Sequence, residues 1–278
     1  MRLESKVILV TGGSGGIGWA TCRRLAEEGA SVFAVSRSRP VGMSGAADEI
    51  RVGPGRVRFA QADVADQIAV GQATQDAVQR YGKLDGLFAN AGVLHSGTAL
   101  ETSEDSWADS LEVNLTAVWR TVRAVVPAIL AHGAGGSVVM NSSVQGSRGI
   151  AGFAAYTASK FGAVGLVQAL AQELGPDSIR VNSVLPTSVD TPMINGEEHR
   201  RRMTSGSGSM DEQQALYRAG HLMPVGWIQP QDVANAVLWL LSDESRYVTG
   251  VNLPIDAGYL AKAVSSAVTT SQGPGNLT

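Results

Sequence analysis

The stretch Lys6-Val7-Ile8-Leu9-Val10-Thr11-Gly12-Gly13-Ser14-Gly15-Gly16-Ile17-Gly18, followed by a helical pattern from Trp19 to Glu28, decides the fold of this chain. Lys6 to Val10 form an apolar, β-branched run that reads as a strand. The glycines follow at once, and a helix opens directly after them. Strand, glycine-rich turn and helix start make up the phosphate-cradling unit of a dinucleotide fold. Glycine lets the backbone come close to a pyrophosphate, and the helix start adds N–H groups and the positive end of its dipole. Two registers fit. Gly13, Gly15 and Gly18 satisfy G-x-G-x-x-G, while Gly12, Gly16 and Gly18 satisfy G-x-x-x-G-x-G. Among 33 glycines either match arises easily by chance, so the flanking strand and helix carry the weight.

Outward from this unit the pattern alternates. Strands are expected near 6–10, 31–35, 56–60, 84–89, 136–141, 179–184 and 251–255. Helices are expected near 17–28, 66–81, 104–131, 155–174 and 230–241. Such alternation predicts an α/β fold, a doubly wound, parallel, seven-stranded sheet with helices on both faces. With 278 residues and 44% hydrophobic content, one large domain over 1–261 is expected. The pattern breaks between Asp190 and Val225, which is rich in Gly, Ser, Arg and Met and reads as a lid over a substrate. Residues 262–278, with Gly273-Pro274-Gly275, read as a loose tail.

A second motif carries chemistry. Tyr156-Thr157-Ala158-Ser159-Lys160 places a phenol and an ammonium four residues apart, on one face of a helix from Ala155 to Leu174. A nearby positive charge favours phenolate and lowers the tyrosine pKa from about 10 towards working pH. A proton donor to a carbonyl oxygen, or an acceptor from an alcohol, needs that tuning. Ser143, thirteen residues earlier, can hold the same oxygen from another element. Tyr and Lys one turn apart are also common on solvated helix faces, so the pair alone is weak.

Taken together, Thr11-Gly12-x-x-x-Gly16-x-Gly18, Asp63, Asn90-Ala91-Gly92, Asn114, Ser143, Tyr156-x-x-x-Lys160 and Pro186 resemble the short-chain dehydrogenases/reductases over roughly residues 5–258. Residues 113–121, 186–194 and 247–258 look like a narrower branch, the actinobacterial carveol-dehydrogenase-like enzymes. The family resemblance implies the Gly12, Gly16, Gly18 register and a single-domain Rossmann fold. It also implies nicotinamide-dependent ketone–alcohol chemistry and a homotetramer that pairs the helices at 104–131 and 155–174. Tyr156 would then be the acid/base, Ser143 the hydrogen-bond partner of the carbonyl, and Lys160 the group that lowers the Tyr156 pKa and holds ribose hydroxyls. Asn114 would interrupt its helix and complete a proton relay through a water to Lys160. Ser142 rivals Ser143 from sequence, and the family spacing selects Ser143.

Cofactor choice is read at the end of the second strand. An acidic residue there holds a ribose 2′-OH, whereas Arg accommodates a 2′-phosphate. Ser31 to Val35 ends in Ser36-Arg37-Ser38-Arg39, with no carboxylate. Arg37 can pair with a phosphate and Ser36 or Ser38 can donate to it, so NADP is expected. A solvated Arg37 is the competing reading, and the carveol-dehydrogenase-like branch, which usually has Asp there, argues for NAD. By resemblance the cofactor set is Gly12, Ser14, Gly16, Ile17, Gly18, Asp63, Val64, Asn90, Ala91, Gly92, Pro186, Val189 and Thr191, with Tyr156 and Lys160. Thr187 stands where the family usually has Gly. Leu94, Gln145, Ile150, Phe153, Met193 and Ile194 are candidates for the wall of an apolar substrate pocket, and each could equally be core.

Composition bounds the alternatives. Net charge is −3, and Arg200-Arg201-Arg202 is the one basic run. It reads as a mobile solvated loop, and nucleic-acid binding is not expected. Cys22 is the only cysteine, which fits a reducing, cytoplasmic setting. No run approaches the roughly 18 apolar residues of a membrane span. His95, His132, His199 and His221 show no ligand spacing, so no metal is expected; His95 is a loop residue that could touch substrate. A nucleotide-sensing protein on the same fold is the rival class, but it has no use for Ser143, Tyr156 and Lys160 together.

Overall fold

The structure, a computed structural model, describes residues 1–40 and 48–263. The expected tail therefore lies, apart from residues 262–263, outside the described residues. Strand β1 (Val7–Thr11) leads into helix α1 (Gly16–Glu27), then β2 (Ser31–Ser36), β3 (Glu49–Val52), β4 (Gly55–Gln61) and α2 (Gln67–Tyr81). Next come β5 (Gly86–Ala89), α3 (Glu104–Leu111), a π-helical turn (Glu112–Thr116), α4 (Ala117–His132) and β6 (Gly136–Asn141). The chain continues with α5 (Ala154–Leu174), β7 (Ile179–Pro186), α6 (Pro192–Asn195), α7 (Glu197–Met203), α8 (Met210–Gly220), α9 (Pro230–Leu241) and β8 (Asn252–Ile255).

These strands form one sheet in the order β3-β4-β2-β1-β5-β6-β7-β8. β1 buries both faces, as an apolar run in a parallel sheet should. Val7 and Leu9 enter the core under α2, α4 and α5, while Ile8 and Val10 enter the one under α1 and α9. The chain leaves β1 in one direction for β2 and β4 and in the other for β5 to β8. The crevice beyond the carboxyl ends of β1 and β5 is thus the switch point at which such sheets bind ligands.

Among the described residues eight strands are present rather than the expected seven, and the sheet is not wholly parallel. β3 pairs antiparallel with β4 through a two-residue turn in which Gly53 takes φ +57°. Such turns need a residue of positive φ. The extra strand reads Glu49-Ile50-Arg51-Val52, so half its residues are charged. Only Ile50 and Val52 pack on the core. An edge strand of that kind carries no apolar run.

Helix 104–132 is long and apolar enough to cross a membrane by length and composition alone. Here it is a core helix: Val118, Val122, Val125, Val126 and Ile129 are buried against the sheet. The Arg200–Arg202 run is not a loop but lies in α7. Arg200 donates to the Asn195 and Gly208 carbonyls, Arg201 pairs with Glu197, and Arg202 approaches Glu101 at 3.5 Å. Cys22 is fully buried beneath α1, and burial pushes its thiol pKa up.

Candidate active site

Elementary sterics settle the two glycine registers. Gly12 and Gly16 take φ +65° and +49°, where residues with a Cβ are strained. A Cβ on Gly18 would lie 2.1 Å from the Gly12 carbonyl oxygen. Gly18 does not line the cleft; it lets α1 cross tightly over the turn. A Cβ on Gly15 would meet nothing within 4 Å, because that side of the turn faces the open cleft. Gly15 is also the cap of α1, and neither a side-chain cap nor an acidic residue occupies the helix start. Free N–H groups and a bare helix dipole therefore face the crevice, which fits a dinucleotide pyrophosphate.

The cleft is lined by Gly12, Ser14, Gly16 and Ile17 from this turn, and by Ser36 and Arg37 from the tip of β2. Asp63, Val64, Asn90, Ala91 and Gly92 line its other side. Ser14 and Ser36 hydroxyls lie 2.8 Å apart, and Ser38 reaches Ser14 at 3.5 Å without itself lining the cleft. Arg37 is exposed and makes no hydrogen bond or ion pair to the protein among the described residues. Arg39, by contrast, pairs with Asp48 and stacks on Phe59. The Asp63 carboxylate accepts from Ala65 N–H and so shapes its own turn.

Asn90 is a clamp. Its amide donates to the Thr11 and Gly12 carbonyls, and its N–H donates to Thr11 Oγ1. Asn141, at the end of β6, donates to Asn90 Oδ1 at 2.9 Å. Sequence reasoning missed Asn141, whose only signal is a polar residue closing an apolar strand. It lines the cleft, its Oδ1 is buried without a partner, and its carbonyl accepts from Lys160 Nζ at 2.8 Å. A single run of hydrogen bonds thus joins the glycine turn to α5.

A narrow space lined by Tyr156, Lys160, Ser143, Pro186, Val189 and Thr191 joins this cleft to a second cavity. Ser143 caps the short turn Val144–Gly146 and lines the same narrow space as Tyr156, whose pKa its hydroxyl lowers. Ser142 has a structural job instead, donating to the Lys160 carbonyl at 3.0 Å inside the core. Asn114 is fully buried in the π-helical turn, so it does interrupt the helix. Its Oδ1 accepts from Val93 N–H, and its Nδ2 donates to Val93 O and Ser159 Oγ. Those contacts occupy the side-chain amide, which therefore positions Val93 and α5.

The protein alone does not lower the Tyr156 pKa as the spacing suggested. Tyr156 is part-buried as a residue, but its hydroxyl is enclosed at the junction of the two cavities. Desolvation pushes it up to about 12, with the Ser143 hydrogen bond pulling the other way. Lys160 Nζ stands 5.5 Å from the Tyr156 ring centroid, and desolvation lowers its pKa to about 8.

The second cavity, of about 210 Å³, is lined by Leu94, Gln145, Ile150, Phe153 and Met193, together with Ser143 and Tyr156. The segment 190–225 supplies much of the remaining wall through Ile194, His199, Met203, Leu216, Tyr217 and His221. Thr187 lines it too and hydrogen-bonds His221 Nε2. Tyr259, from beyond β8, closes it and is held by Arg148, which donates to the Tyr259 and Leu260 carbonyls. No sequence pattern marks His199, Tyr217 or Tyr259. His95 does not reach this cavity; it pairs with Asp109.

The family described as enoyl-(acyl carrier protein) reductase matches residues 12–260. The chain belongs to the short-chain dehydrogenase/reductase family. It is 36% identical over 275 residues to (−)-trans-carveol dehydrogenase of Rhodococcus erythropolis, covering 94% of this chain and 99% of that one. It is also 36% identical to trans-4-hydroxycyclohexanecarboxylate dehydrogenase of Sinomonas cyclohexanicum, over 94% and 95% of the two chains. The crystal structure of carveol dehydrogenase from Mycobacterium avium in complex with NAD superposes with a TM-score of 0.86 at 38% identity. That match covers 94% of this chain and 99% of that chain. The protein is accordingly an oxidoreductase of the alcohol–ketone type with a nicotinamide cofactor.

Two substitutions separate the roles of the glycines. Gly18→Ala should destabilise the fold by about 1–3 kcal/mol or more, because backbone must shift, and urea unfolding measures it. Gly15→Ala should unfold like the wild type yet bind the dinucleotide more weakly, as read by titration calorimetry. Equal stability for both variants would overturn this assignment.

Buried Lys160 makes a pH prediction. Below pH 8 both folded and unfolded chains hold its proton, and between about 8 and its ordinary 10.5 the unfolded chain holds more. Stability therefore rises with pH through that window. Relative to Lys160→Met, the wild type should gain up to roughly 3 kcal/mol between pH 8 and 10.5. A difference that stays flat across the window would mean the ammonium is not desolvated.

Proposed function

We propose that the protein is an NADP-dependent oxidoreductase that interconverts a ketone and a secondary alcohol on a cyclic, largely apolar substrate. The observation that carries this reading is the Ser143–Tyr156 hydroxyl pair at the junction between the dinucleotide cleft and the second cavity. A carbonyl oxygen there meets two hydroxyls, while its carbon faces the cleft. Once bound, the nicotinamide supplies or accepts the hydride. Tyr156, protonated at neutral pH, donates to the oxygen in the reductive direction and accepts in the oxidative one. Ser143 holds that oxygen. Lys160, as ammonium, favours the phenolate and is placed to hold ribose hydroxyls. The benzene-sized cavities known in proteins are about 150 Å³, so this one suits a single substituted ring.

The cofactor reading rests on Arg37 and the serine hydroxyls around the β2 tip. The run Ser36–Arg39 itself carries no carboxylate, the nearby Asp48 is paired with Arg39, and Arg37 makes no hydrogen bond or ion pair to the protein among the described residues. NAD is the second reading, favoured by the Mycobacterium avium relative in complex with NAD. Exposed Trp119 on α4 and Phe161 on α5 support a tetramer assembled through those helices.

Tyr156→Phe should lower kcat by about 10²–10⁴-fold with cofactor binding nearly intact. A variant retaining more than about a tenth of wild-type kcat would remove Tyr156 from the acid/base role.

Arg37→Ala should raise KM for NADPH about ten- to a hundredfold, as expected for a lost charge-assisted hydrogen bond. KM for NADH should change little. Arg37→Asp should reverse the preference, since it repels the phosphate and accepts from a 2′-OH. Wild-type kcat/KM equal for the two cofactors, or higher with NADH, would favour the second reading.

A further inference from the structure

Gln145 sits in the turn directly after Ser143, and only 8% of it is exposed. Its backbone N–H donates to Ser143 Oγ at 3.1 Å. Its side-chain oxygen accepts from Thr157 Oγ1 at 2.9 Å, which fixes the plane of the amide. Nε2 then carries two hydrogens with no protein partner among the described residues, in a side chain that lines the substrate cavity. A donor open to the cavity is satisfied by a ligand oxygen and left unpaired by a ligand without one.

The lid side of the cavity is polar as well. The Tyr217 oxygen accepts from Gln213 Nε2 at 3.3 Å and lies 2.9 Å from His199 Nε2. Burial, with the charge of Arg202, lowers the His199 pKa. An otherwise apolar cavity thus holds donors beyond the two that the reacting oxygen uses.

We propose that Gln145 is a specificity-determining residue whose carboxamide donates to a second oxygen on the substrate ring. The preferred substrate is then a dioxygenated monocycle (a hydroxyketone, diketone or diol) rather than a ring with one oxygen. This inference rests on the ketone–alcohol reading above and adds the chemical class. A site built to hydrogen-bond an oxygen discriminates strongly against an analogue without it, because its own polar group is left unpaired.

The test compares cyclohexanone with 4-hydroxycyclohexanone and with 1,2- and 1,4-cyclohexanedione, using both NADPH and NADH. Wild-type kcat/KM should favour at least one dioxygenated ring by about tenfold or more. Gln145→Leu should reduce that ratio about tenfold, and Gln145→Met serves if the Leu variant misfolds. A wild-type ratio near one, or a ratio unchanged in the variants, would overturn the proposal. Calorimetric binding of the same rings to Tyr156→Phe, with and without Gln145→Leu, separates the two readings. Binding that selects dioxygenated rings through Gln145, in a wild type that turns over none of them, would sink the ketone–alcohol reading and keep the role of Gln145. Turnover without selectivity would do the reverse.

Discussion

A side chain at position 18 would stand 2.1 Å from the Gly12 carbonyl oxygen, and the rest of the site depends on that close crossing. It lets α1 start directly on the turn after β1, so the helix N–H groups open into the crevice. The Gly12 carbonyl is also where Asn90 takes hold, together with the Thr11 carbonyl. Asn141 holds Asn90, and Lys160 holds the Asn141 carbonyl. Gly92 completes the approach: a Cβ there would lie 3.0 Å from Asn114 Oδ1 and 3.7 Å from Lys160 Nζ. The elements that would cradle a dinucleotide and those that would move a proton are therefore one hydrogen-bonded assembly. A shift in the glycine turn is felt at α5 through four residues.

Much of this was legible because it depends on local chemistry. A strand of alternating faces, a turn requiring positive φ and a Tyr–Lys pair one turn apart each leave a mark within a few residues. The edge strand Glu49–Val52 left none, since it buries only alternate side chains and owes its pairing to the turn at Gly53. Helices α6 to α8 were hidden for a similar reason. They are short, polar outside, and held by contacts such as Arg200 to the Asn195 and Gly208 carbonyls. The substrate cavity was half legible. Leu94, Gln145, Ile150, Phe153 and Met193 lie within about ten residues of a motif, whereas Tyr217 and Tyr259 lie well beyond Pro186, the last of them. Only the packing of segment 190–225 and the Arg148 contacts bring them in.

The tip of β2 shows how a family pattern and a local reading can diverge. The fold and nearly the whole chain are shared with a carveol dehydrogenase in complex with NAD. The residues at the β2 tip are exposed, and no core packing constrains them. Ser36 is tied to Ser14, and Arg39 is occupied by Asp48 and Phe59. Arg37 is the cation at that tip which lines the cleft and makes no protein contact among the described residues. Global similarity fixes where a ribose would lie, but the charge beside it is set by this one local choice.

The Tyr156–Lys160 pair carries the sharpest lesson. Spacing along a helix argues that the ammonium lowers the phenol pKa, yet enclosure drives both groups towards their neutral forms, Tyr156 up to about 12 and Lys160 down to about 8. Desolvation penalises either charge taken singly, and a charge is favoured only when its partner is charged as well. Lys160 is held back by the Asn141 carbonyl, 5.5 Å from the ring centre, so its attraction for a phenolate is not at full strength. If Tyr156 gives its proton to a ketone it leaves a phenolate, and if it takes one from an alcohol it starts as a phenolate; either way the enclosed anion is tolerable only while Lys160 is charged. Both directions would pass through the same phenolate, so a role for Tyr156 in either depends on what keeps the Lys160 proton in place.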